Sequence, residues 1–89
     1  LKPSTLSPLV AATLAEIVDA AGVPAGVFNL VFGEAAAGSA LAAHPDVSGV
    51  SFTGSQAAGA AVALATLARQ ARVQLEMGGK NPLVIMADA

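Results

Sequence analysis

Cysteine is missing from all 89 residues, which excludes disulfides and thiolate metal sites and leaves the chain without a thiol nucleophile of its own. His44 is the sole histidine, too little for a transition-metal centre. Tryptophan and tyrosine are missing too, and charge is scarce: 11% of residues, with a formal net charge of −2. The four basic residues, Lys2, Arg69, Arg72 and Lys80, are scattered, so no basic face for nucleic acid is built. No apolar run approaches the roughly 20 residues of a membrane span, because Gly, Pro, Ser and Asp interrupt each one. The opening residues show no basic stretch followed by an apolar one, so the expected compartment is the cytoplasm. The G-x-G-x-x-G dinucleotide fingerprint and the P-loop are absent as well.

What is present is apolar. Hydrophobic residues make up 55% of the chain, and the mean hydropathy is +0.71. A small domain has much surface for its volume and normally covers it with charge. Such a composition leads us to expect an internal segment of a longer protein. The opening at Leu1 and the close at Ala89, just after the apolar run Leu83-Val84-Ile85-Met86, point the same way.

Turn residues divide the chain at regular intervals. Ser7 is a candidate N-cap with Pro8 at the first helical position. Leu9, Ala12, Leu14, Ile17 and Val18 follow at helical spacing to Ala21, where Gly22 and Pro24 end the run. Val27 to Phe32 reads as a buried strand between Gly26 and Gly33, and Ala35 to Ala43 as a short helix stopped by His44-Pro45. A strand is expected over 47–52, a third helix from Ser55 to about Arg69, and two more strands over 73–76 and 83–86. Helices alternating with strands over short connections predict an α/β fold: a Rossmann-like open parallel sheet with helices on both faces.

In such sheets ligands sit beyond the carboxyl ends of the strands, where loops lead into helix N-termini. Three loops qualify: Gly33 onwards, Thr53-Gly54-Ser55, and Glu76-Met77-Gly78-Gly79. At the second, Gly54 would let the backbone approach a phosphate, Ser55 would offer an N–H and a hydroxyl, and Gly59 would permit close helix packing. An Ala-rich helix with two glycines can equally be plain packing. His44, at a helix end before proline, reads as a capping residue.

Particular strings decide further. Lys2-Pro3-Ser4, Ser7-Pro8-Leu9, Gly26-Val27-Phe28-Asn29, His44-Pro45-Asp46-Val47, Ser51-Phe52-Thr53-Gly54-Ser55 and Leu75-Glu76-Met77-Gly78-Gly79-Lys80-Asn81-Pro82 follow one another in order. Together they resemble the NAD(P)-dependent aldehyde dehydrogenase superfamily across essentially the whole chain. The resemblance implies that residues 1–89 are part of an NAD(P)-binding domain, with NADP or NAD as cofactor and an aldehyde as substrate. It also implies a homo-oligomeric parent, dimer or tetramer, whose nucleophilic cysteine lies downstream.

By the same resemblance, Lys2 contacts the adenosine ribose, Phe52 lies beside the adenine, and Gly54 and Ser55 meet the pyrophosphate. Gln56 departs from the small hydroxyl residue common in that turn. Glu76 corresponds to the general base, which takes a proton from the cysteine thiol or from the water that hydrolyses the thioester. Lys80 and Asn81 carry no assigned chemistry, since Asn-Pro is also an ordinary turn. NAD-preferring relatives commonly place an acid three residues after the lysine. Here Thr5 occupies that position, and NADP is expected to be accepted at least as well as NAD.

Two rival readings stand beside this one. A non-catalytic α/β nucleotide-binding or scaffold module would keep the fold without the base, and Glu76 speaks against it. In a CoA-acylating semialdehyde dehydrogenase a thiol, not water, resolves the thioester, and the family resemblance sets Glu76 against that also. The Leu75-Glu76-Met77 string is similar to semialdehyde dehydrogenases, which leaves the particular aldehyde open.

Overall fold

The computed structural model describes residues 1–79 and 82–88. Lys80, Asn81 and Ala89 lie outside the described residues. The chain divides into two compact units, Leu1–His44 and Pro45–Ala89.

The first unit holds α1, Pro8–Ala20, and α2, Ala35–Ala43. Helix α1 begins at the expected proline, which has no N–H to lose and a φ already helical. Ser7 occupies the N-cap position, but its side chain makes no capping bond. The entry turn is held by Ser4 instead: its carbonyl accepts from Ser7 N at 3.2 Å, and its hydroxyl accepts from Leu6 N at 3.2 Å. At the other end Gly22 N donates to the Asp19 carbonyl and Val23 N to the Val18 carbonyl, the paired bonds of a Schellman stop. Helix α2 has the expected bounds, with His44 at its C-cap donating its backbone N–H to the Leu41 carbonyl.

The run 27–32 departs from the expected buried strand. It is extended, but its backbone bonds among the described residues form no strand ladder: Val27 N donates to the Pro24 carbonyl at 3.2 Å and Val31 N to the Leu1 carbonyl at 2.9 Å, while the Asn29 carbonyl accepts from Leu1 N at 2.6 Å. Val27 and Phe32 are exposed. A strand is defined by the ladder beside it, and β-rich residues alone do not supply one. The run 83–86 departs for the same reason: no ladder is assigned to it, and Leu83, Val84, Ile85 and Met86 are all exposed.

The second unit is a β-α-β element. Strand β1, Gly49–Thr53, and strand β2, Arg72–Glu76, pair in parallel around α3, Gln56–Leu67. The register sets Val50 opposite Val73 and Phe52 opposite Leu75. Side chains alternate along a strand, so these four apolar residues share one sheet face, and α3 packs on both strands. Thr66, fully buried on α3, keeps its hydroxyl satisfied by donating to the Val62 and Ala63 carbonyls at 2.9 and 3.0 Å. The Arg69 guanidinium donates to the Val47 carbonyl and so ties the exit of α3 to the approach to β1.

Little of the apolar surface finds cover. Among the described residues Ala11 and Ala42 are the buried hydrophobics, while Leu9, Val10 and Ile17 of α1 and Leu64 and Leu67 of α3 are exposed. The chain exposes 7012 Å², whereas two separate compact bodies of half its mass would expose about 5,700 Å² between them.

Candidate functional site

In the second unit the turn between β1 and α3 is built around Ser55. As N-cap it has extended backbone (φ −71°, ψ 154°), and its hydroxyl accepts from Ala58 N at 3.3 Å. The N–H groups of Gln56 and Ala57, in the first turn, have no intrahelical acceptor by helix geometry and carry the positive end of the helix dipole. Gly54 N is not available to a ligand in the same way, because it donates to the Glu76 carbonyl at 3.0 Å. A phosphate here would meet the turn from Ser55 onward, at N–H groups that nothing in the helix consumes.

The two glycines of this turn have reasons that spacing does not show. A Cβ on Gly54 would stand 2.5 Å from Cζ of Phe52, so the ring of Phe52 fills the space a side chain would need. A Cβ on Gly59 would stand 2.3 Å from Sδ and 2.8 Å from Cγ of Met77, and 3.5 Å from Cε1 of Phe52. Phe52 and Met77 therefore both rest on the first turns of α3. Phe52 is half-buried, an anchor of the turn as well as a strand residue.

Glu76 ends β2, paired in register with Thr53. Its side chain is exposed, its carbonyl is held by Gly54 N, and Met77 lodges on Gly59. Gly78 then turns the chain at φ +67°. Glu76 therefore carries an exposed carboxylate on a backbone that is held against the turn opening α3. Phe52, Gly54, Ser55 and Glu76 are thus brought together within this unit.

In the first unit Lys2 and Thr5 meet the start of α2. The half-buried stem of Lys2 crosses the helix at Gly38, where a Cβ would lie 3.4 Å from Cε, and its ammonium donates to the Pro3 carbonyl at 2.8 Å. Thr5 is exposed and lines a cleft of about 230 Å³ with Pro3, Ser4, Pro8, Gly33 and Glu34. Gly59 is tightly packed, as its place in the turn led us to expect, while Glu34, Gly38 and Met77 are neighbours that sequence reading missed. Glu34 had a signal, since it is the acid of the loop that opens at Gly33. The pairing of Gly59 with Met77 had none, because it joins a helix interior to a loop 18 residues on. Among the described residues there is no group of three or more potential metal ligands, and no helix is long and apolar enough to cross a membrane.

Comparison with known proteins decides the family. Residues 1–89 match the aldehyde dehydrogenase family along their whole length. This chain belongs to the aldehyde dehydrogenase family. It is 51% identical to a hydroxyisobutyraldehyde dehydrogenase of Mycolicibacterium austroafricanum, over 100% of this chain and 18% of that protein. The crystal structure of an aldehyde dehydrogenase from Bartonella henselae superposes with a TM-score of 0.94 at 50% identity, covering 100% of this chain and 19% of that one. Aldehyde dehydrogenase C of Pseudomonas syringae, a mutant complexed with NAD+ and octanal, superposes with a TM-score of 0.88 at 54% identity, over 92% of this chain and 17% of that one. The chain thus spans less than a fifth of the length of the relatives it matches.

Proposed function

We propose that these residues form part of the NAD(P)-binding domain of a longer aldehyde dehydrogenase, which oxidises an aldehyde to a carboxylic acid. The observation that carries this is the seating of Glu76 at the end of β2, tied through its carbonyl to the turn that opens α3. The cofactor, when bound, supplies a nicotinamide ring that accepts hydride. Ser55 and the first N–H groups of α3 meet its pyrophosphate, Phe52 lies beside the adenine, and Lys2 and Thr5 stand at the adenosine ribose. Lys2 and Thr5 by themselves admit either cofactor, since a cation and a neutral hydroxyl leave a 2′-phosphate unopposed.

Glu76 acts as the base. A carboxylate on an anchored strand end, followed by Gly78 at positive φ, can receive a proton from the attacking thiol and later from the hydrolytic water. The thiol comes from a cysteine outside these residues. The substrate class is a small aldehyde, with semialdehydes in view from the Leu75-Glu76-Met77 string. The reading extends to a cytoplasmic homo-oligomer, dimer or tetramer, as the resemblance implies. In the full-length enzyme, Glu76→Gln should leave cofactor dissociation constants unchanged and lower kcat by about 10²- to 10⁴-fold. An unchanged kcat across the neutral pH range would assign the base elsewhere.

A further inference from the structure

We infer that Glu34 is the residue that discriminates between the two nicotinamide cofactors, excluding the 2′-phosphate of NADP and turning the enzyme towards NAD. The inference rests on the reading of Lys2 and Thr5 as neighbours of the adenosine ribose, and it reverses the preference that Thr5 alone implies.

Three observations carry it. The first is placement: Glu34 lines the same cleft as Thr5, so the acid missing from position 5 is returned to that cleft from the loop before α2. The second is its place in the chain. Glu34 follows the extended run 27–32 across Gly33 and occupies the N-cap position of α2. In dinucleotide-binding folds a carboxylate beyond a strand end is what holds ribose hydroxyls and repels a phosphate on the 2′ oxygen. The third is freedom to act. The Glu34 side chain makes no capping bond, is exposed, and has no ion pair among the described residues.

The backbone just before Glu34 packs closely on α2. Gly33 sits at φ +155°, and a Cβ there would stand 2.6 Å from Cβ of Ala37. No L side chain fits that position without moving α2, so the turn that delivers Glu34 to the cleft requires glycine there. Lys2 stays at the first turn of the same helix through its contact over Gly38. A ribose seated in the cleft would offer its hydroxyls to the Glu34 carboxylate. A 2′-phosphate would put two negative charges next to Glu34, and that repulsion weakens as salt screens it.

The test uses the full-length enzyme and measures dissociation constants for NAD+ and NADP+ by calorimetry, alongside kcat/KM for each. Wild type should bind NAD+ more tightly. Glu34→Gln should cut that discrimination by about 10-fold, mainly by tightening NADP+, and with less effect at high salt. Thr5→Val should leave the NAD preference in place. A wild type that prefers NADP+, or a discrimination ratio within about twofold of wild type in Glu34→Gln, overturns the role of Glu34. Lys2→Ala separates the two layers. If it weakens both cofactors while Glu34→Gln changes nothing, only the assignment of Glu34 fails; if it changes neither constant, the ribose reading fails and takes Glu34 with it.

Discussion

Replacing Gly59 by alanine should destabilise the protein when residue 77 is methionine and stabilise it when residue 77 is alanine. The new Cβ would lie 2.3 Å from Sδ and 2.8 Å from Cγ of Met77, against a normal separation of about 3.5–4.0 Å. The thioether must therefore retreat by more than about 1 Å. The backbone beneath it cannot follow easily, because the preceding Glu76 carbonyl is bound to Gly54 N. Overpacking of this kind costs about 1–3 kcal/mol. Alanine in the interior of α3 returns about 1 kcal/mol relative to glycine. Gly59→Ala alone should thus lose up to about 2 kcal/mol. In the Met77→Ala background the clash vanishes and only the helical gain of about 1 kcal/mol remains. Apparent Tm values of the four full-length proteins form a double-mutant cycle that reads the change of sign. If Gly59→Ala moves Tm in the same direction in both backgrounds, contact with Met77 is not what keeps position 59 a glycine.

Two further outcomes follow from the same geometry. Ser55→Ala removes the hydroxyl that accepts from Ala58 N and should cost about 0.5–2 kcal/mol in denaturant unfolding; a stability within about 0.3 kcal/mol of wild type would show the cap idle. The isolated 89-residue chain should reduce neither NAD+ nor NADP+ with any aldehyde, since it holds no cysteine. With 7012 Å² exposed, it should also bind a hydrophobic dye and self-associate, and a monomer that ignores the dye would contradict this exposure.

Local signals were enough for the helices and for two of the strands. Pro8 after Ser7 starts α1, His44-Pro45 stops α2, and Ser55 caps α3, because each of these acts within one turn of its own position. The strings around Phe52 and Glu76 identified the family for a similar reason, being contiguous residues in a fixed order. The runs 27–32 and 83–86 read equally well as strands, yet no regular ladder forms on either, since a ladder needs a neighbour that composition cannot supply. The same limit applies to the site. Glu76 and Ser55 were legible in one string each, whereas the phenyl ring over Gly54, the thioether on Gly59 and the arrival of Glu34 beside Thr5 join residues distant in sequence. By itself the sequence determined the helices, the turn chemistry and the family, all of which rest on neighbours along the chain. Tertiary structure alone decided which glycines have no room for a side chain and which carboxylate shares the cleft with Thr5, because both depend on packing between segments that no local pattern encodes.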